Sequence, residues 1–167
     1  MKTPNFFFLL ISPPPEVVAD VFMFKKFVEK TIGHSYRSLH SIAHLTLFQY
    51  FDFHNESELY RYEEKVSNFP SFEIRLNGFS AFKNSGTIYL NIEYGRNICL
   101  LAEALGYSIT PHMTISRGLR VKDFDLTWPY FRDLKYEYSF TCNHVTVLKW
   151  LNERWTSHMD FSLLKIR

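Results

Sequence analysis

The chain has 167 residues, 46% hydrophobic and 22% charged, a balance that excludes intrinsic disorder and suits one packed domain over 1–167. Its 19 basic and 17 acidic residues leave a formal charge of +2. That is too little to grip long duplex DNA by phosphate neutralisation, yet compatible with a local basic pocket.

The first element expected is a buried strand over 6–12 (FFFLLIS), short, apolar and aromatic. Its apolar run, Phe6 to Ile11, is far too short to cross a membrane. Lys2 ahead of it faintly mimics a secretory leader, but prolines at 13–15 stand where small residues would be needed for cleavage. A helix then opens at Glu16, carries Val17, Val21 and Val28 on one side, and stops at Gly33. Residues 42–50 (IAHLTLFQY) alternate as a strand, and a helix over 56–67 ends before Pro70. Phe72 to Leu76 alternates again and meets a turn or bulge signal at Asn77-Gly78. A turn at 84–86 leads into a strand over 87–93. Residues 95–105 read as a helix closed by Gly106, and 112–116 (HMTIS) as a strand after Pro111. A short helix is expected within 120–135, one strand from about Tyr138 to Lys149, and a last alternation from Phe161 to Ile166. Cys99 and Cys142 fit neither a CxxC pattern nor a disulfide framework, which suits a reducing, cytoplasmic setting.

The strands contain a repeat. His44 and His112 differ by 68 positions, as do Thr46 and Thr114, and the same offset pairs Ser71-Phe72 with Ser139-Phe140. Each half then reads strand, helix, His-x-Thr strand, spacer, strand. The fold class that follows is α+β and bilobal: two pseudo-symmetric lobes, antiparallel-rich sheets flanking a central cleft, helices on the outer faces. Both His-x-Thr pairs would enter that cleft.

In a strand, positions i and i+2 share a face. His44 and Thr46 therefore point one way while Leu45 and Leu47 point into the core, and His112 and Thr114 repeat this against Met113 and Ile115. Two such pairs suit a phosphodiester. The hydroxyls can hold non-bridging oxygens, while imidazoles with ordinary pKa near 6.5 exchange protons with water and a leaving oxygen. Arg117, three residues beyond Thr114, is the candidate guanidinium for the remaining phosphate charge; a solvated strand end is its plainer reading. No metal and no cofactor are called for. A third triplet, His144-Val-Thr146, falls at Leu76 and Gly78 under the same offset and is read as incidental.

These stretches, HLTLFQY at 44–50 and PHMTISRGL at 111–119 with the preceding ALGYSIT, resemble the 2H phosphoesterase superfamily. The likeness is strongest to its 2′-5′ RNA ligase-like, cyclic phosphodiesterase branch and runs over essentially the whole chain. The resemblance implies metal-independent hydrolysis of 2′,3′-cyclic phosphates on nucleotides or RNA ends, or the related 2′-5′ joining reaction. It makes His44 and His112 the acid and base, the latter leaning towards base, with Thr46, Thr114 and Arg117 binding phosphate. Ala43 departs from the proline that often precedes the first histidine. Partners would be small nucleotides or RNA termini, with no long duplex DNA, no membrane and a monomeric state. A module that binds a nucleotide or RNA end in the same cleft without turnover is the alternative.

Other constellations are weaker. His34, His40, His44 and His54 match no zinc spacing, and the scattered glycines form no phosphate loop. Tyr50, Tyr107 and Tyr130 could stack on a base, although ordinary packing explains them as well. Phe6 to Phe8 are expected in the core, and Trp128, Trp150 and Trp155 as core or edge cover.

Overall fold

The computed structural model describes residues 5–53 and 56–165. Eight strands and four α-helices follow in the order β1 (Asn5–Ile11), α1 (Pro15–Ile32), β2 (Leu45–Phe53), α2 (Leu59–Ser67), β3 (Phe72–Phe82), β4 (Thr87–Glu93), α3 (Arg96–Ala104), β5 (Met113–Ser116), α4 (Val121–Asp133), β6 (Glu137–Cys142), β7 (His144–Leu151) and β8 (Arg154–Ser162). The fold is therefore α+β, as expected. Where two sheets were expected, the strands form one, in the order β6-β3-β4-β5-β2-β1-β7-β8, with every neighbouring pair antiparallel.

Alternation decides which face of that sheet is covered. Phe7, Leu9 and Ile11 on β1, Leu45 and Leu47 on β2, Ile88 and Leu90 on β4, and Met113 and Ile115 on β5 all enter one apolar cluster. The same cluster takes Val17, Val21 and Val28 from α1, Leu59 and Val66 from α2, Ile98 and Leu101 from α3, and Phe124 and Phe131 from α4. The helices thus lie on one face. Phe8, Leu10 and Leu148 belong to a separate small cluster on the other, joined by Trp155. Phe8 is buried as expected, but in this second cluster, because period-two geometry sends it to the opposite side from Phe7.

Two further readings change. The strand expected from Tyr138 to Lys149 is two strands, because Asn143 passes the chain from β6, paired with β3, to β7, paired with β1 and β8. The extension of the repeat to Ser71-Phe72 and Ser139-Phe140 also fails. Those segments are direct neighbours, with Arg75 opposite Ser139 and Phe72 opposite Cys142, and in the strand order β7, not β6, stands across the centre from β3. The polar stretch at 120–135 is α4, thirteen residues long with Pro129 inside it. Burial of Phe124, Thr127 and Phe131 along one side offsets the hydrogen bond that the proline cannot make. Gly78, at φ +66°, bends β3 at the predicted bulge, where the register with β4 shifts between Leu76 and Phe79. Tyr50 lies within β2, but its side chain, like His54, falls outside the described residues.

Candidate active site

The centre of the sheet is the β2–β5 pair, joined where Leu45 lies opposite Met113. Both side chains are fully buried among the helix-side core, at 1% and 0% exposure, which fixes the register: a one-residue slip would turn both out of the core. That single pair is where β2 and β5 meet, and each strand carries its His-x-Thr triplet around it, His44 and Thr46 flanking Leu45 and His112 and Thr114 flanking Met113. All four side chains project from the helix-free face, so the two triplets become one polar square.

The imidazoles are held alike. His44 Nδ1–H donates to the Ile42 carbonyl at 2.8 Å, and His112 Nδ1–H donates to the Thr110 carbonyl at 2.7 Å. A carbonyl can only accept, so each neutral ring must carry its proton on Nδ1, leaving the Nε2 lone pair free. Aromatic walls keep the rings in place. Phe8 meets His44 edge to face at 5.2 Å, while Phe82 and Tyr89 meet His112 at 5.3 Å each. Tyr89 is also the β4 residue directly opposite Thr114.

Burial against these neighbours lowers the pKa of His44 below the ordinary histidine value. The hydrogen bond to Ile42 opposes that shift, and the positive charges of Lys25 and His112 add to it. Lys25 comes from α1 and is only 2% exposed. Its ammonium donates to Ser38 O at 2.9 Å, Ser41 O at 2.7 Å and Ser41 Oγ at 2.8 Å, and so ties down the turn that delivers His44 to β2. Burial lowers the Lys25 pKa to about 8. Neither Lys25 nor the aromatic walls were recognised in the sequence; only strict alternation, placing Phe8 on the same side as Leu10, could have flagged one of them.

Arg117 directly follows the last residue of β5, is exposed, and has no hydrogen bond or ion pair to any described residue. Its backbone is nevertheless fixed. Gly118 N–H donates to Ser85 O and Leu119 N–H to Gly86 O, both at 3.1 Å. Gly86 has φ +57°, and a Cβ there would sit 2.0 Å from the Leu119 carbonyl oxygen.

The remaining candidates lie elsewhere. His34 contacts Arg120 and Asp123 near α4, apart from His44, and among the described residues no three His, Cys, Asp or Glu side chains gather as a metal site. Tyr130 stacks on Phe27 at 3.9 Å between α4 and α1, and Tyr107 packs on Phe48. His144 bonds Asn143 Oδ1 at 2.6 Å on β7, two strands from β2. No helix among the described residues is long and apolar enough to cross a membrane.

An α+β chain with one antiparallel sheet and two facing His-x-Thr strands at its centre has the architecture of a two-histidine phosphoesterase. The sequence profile of the 2′-5′ RNA ligase superfamily matches residues 13–154, and the chain belongs to that family. Among solved structures it resembles Escherichia coli LigT complexed with ATP, with TM-score 0.69 and 17% identity over 97% of this chain and 99% of that one. TT0787 of Thermus thermophilus superposes with TM-score 0.69 at 20% identity, covering 97% of this chain and 100% of that one. Kluyveromyces marxianus Usb1 gives TM-score 0.56 at 14% identity, covering 95% and 97%. At these identities the likeness is one of fold. No curated protein matches the sequence.

Proposed function

We propose that the chain is a metal-independent phosphodiesterase that opens 2′,3′-cyclic phosphates on nucleotides or RNA ends. The observation that carries this is the β2–β5 register: with Leu45 against Met113, two imidazoles with free Nε2 atoms and two hydroxyls share one open patch. Membership of the family supports phosphodiester chemistry, and the ATP and 3′-AMP complexes of LigT support a nucleotide as ligand.

In this reading Thr46 and Thr114 donate to the non-bridging oxygens, and Arg117 turns in from the strand end to neutralise them. A neutral imidazole Nε2 takes a proton from water as its oxygen attacks phosphorus. The bond from phosphorus to one ribose oxygen breaks, and the second imidazole, entering as imidazolium, protonates that oxygen through its own Nε2–H. The product is a phosphomonoester, and the pair returns to its starting state after exchanging one proton with solvent. Burial biases His44 towards its neutral form, which suits it to the base role and His112 to the acid role. That order reverses the one the family resemblance suggests.

The test is turnover of 2′,3′-cyclic nucleotides and of short RNAs with cyclic ends, in the presence of EDTA. Conversion to a phosphomonoester is the expected result. Activity that appears only on adding a divalent metal would overturn the mechanism. Tight binding of these compounds with no conversion would favour the non-catalytic binding module instead.

A further inference from the structure

Beyond His44 the helix-free face continues as a run of aromatic rings that the hydrolytic chemistry does not use. From the His44 ring to Phe8 is 5.2 Å, from Phe8 to Trp155 is 5.6 Å, and from Trp155 to Trp150 is 5.2 Å. Sequence patterning explains why they line up. On β7, Thr146, Leu148 and Trp150 alternate onto one face; Leu148 lies opposite Phe8 on β1, and Trp150 lies opposite Trp155 on β8. The β7–β8 turn is a two-residue hairpin in which Asn152 and Glu153 both have positive φ, at 49° and 63°. That conformation matches the twist of the strands and holds the tryptophan pair in register.

Burial differs along the run. Phe8 is 8% exposed and serves as floor, Trp155 is half-buried on Phe8, Leu10 and Leu148, and Trp150 is 39% exposed at the far end. A large aromatic side chain left open at the end of a continuous run from the catalytic square is an available stacking surface. Bases in a nucleic acid strand stack at about 3.4 Å per step. Three ring-to-ring steps of more than 5 Å each therefore exceed the length that one nucleotide can occupy.

We infer that Trp150 and Trp155 form a stacking platform for nucleotides upstream of the one that bears the cyclic phosphate, so that the preferred substrate is the end of a single-stranded RNA oligomer. This rests on the phosphodiesterase reading above, and it makes Trp150 a specificity residue with no part in proton transfer. Base-on-aromatic stacking tolerates any sequence, so the platform selects for length, not for base identity. The plainer role for the pair is a cross-strand staple of the hairpin, which would affect stability alone.

The experiment compares kcat/KM for a mononucleotide 2′,3′-cyclic phosphate and for a tetranucleotide with the same end, in wild type, Trp150→Ala and Trp150→Phe. The platform predicts a roughly five- to hundred-fold loss on the tetranucleotide for Trp150→Ala, carried by KM. It also predicts no loss on the mononucleotide and substantial recovery in Trp150→Phe. Equal losses on both substrates, or none on either, would overturn it. Should the wild type convert neither compound, anisotropy of labelled single-stranded RNA with a 3′-phosphate decides the matter separately. Affinity that rises with length and falls in Trp150→Ala upholds the platform, and affinity independent of length or of Trp150 refutes it.

Discussion

Lys25 offers a quantitative test of how the His44 turn is held. Its ammonium is 2% exposed and surrounded by neutral acceptors, the Ser38 and Ser41 carbonyls and the Ser41 hydroxyl. Burial depresses its pKa from 10.5 to about 8. Between those values the unfolded chain binds more protons than the folded one, so stability rises with pH across that window. Below pH 8 both states carry the charge and the burial penalty is present in full. Above about 10.5 it is gone. The folded and unfolded pKa values together correspond to about 3 kcal/mol, most of it recovered by about pH 10. Replacing the ammonium in Lys25→Met removes this dependence. Urea unfolding of wild type and Lys25→Met at about pH 7 and pH 10 should therefore show the wild type gaining on the variant by about 2–3 kcal/mol at the higher pH. Taking the difference cancels groups common to both, among them Cys142, whose thiol burial pushes up to about 12 and which works in the opposite direction. A difference in stability that stays constant between the two pH values would refute the buried, charged lysine and its grip on the turn.

Gly86→Ala should destabilise the protein by at least about 2 kcal/mol in denaturant unfolding, since the new Cβ collides with the Leu119 backbone at a left-handed φ. Because the same loop carries Arg117, it should also raise KM for the cyclic phosphate. Glu153→Gly should instead stabilise by about 0.5–1 kcal/mol in thermal or urea unfolding, the left-handed turn position being strained for glutamate and free for glycine. His144→Ala should keep kcat/KM within about twofold of wild type, because His144 stands two strands away from β2. A loss comparable to that of His112→Ala would mean that the third His-x-Thr triplet takes part in the chemistry.

Much of the candidate site was legible because its residues recur at period two. His44 with Thr46 and His112 with Thr114 each had to share a face, and Leu45 and Met113 between them had to share the opposite one; the structure pairs those very residues. The helix ends were equally readable, with Gly33 at φ +77° and Gly106 at φ +90° taking the left-handed conformations expected of helix stops. What could not be read was long-range order. Nothing local to Tyr138–Lys149 says that one half pairs with β3 and the other with β1, since both are apolar alternations separated by a single asparagine. The aromatic walls were missed for a related reason. A strand buried on both faces, as β1 is, shows a continuous apolar run in which Phe7 and Phe8 look alike, although one enters the core and the other meets His44. Lys25 gave no signal, because its partners are neutral oxygens of a turn thirteen or more residues away.

In the proposed reaction His44 and His112 act as one proton-transferring unit across the β2–β5 seam. A double-mutant cycle measures this: kcat for a 2′,3′-cyclic phosphate in EDTA for wild type, His44→Ala, His112→Ala and the double variant. Each single replacement should cost about 10²–10⁴-fold, and the double little more than the worse single, because a base without its acid completes no turnover. Strictly multiplying losses would mean that the histidines act independently, and two small losses that the His-x-Thr strands are not the catalytic centre.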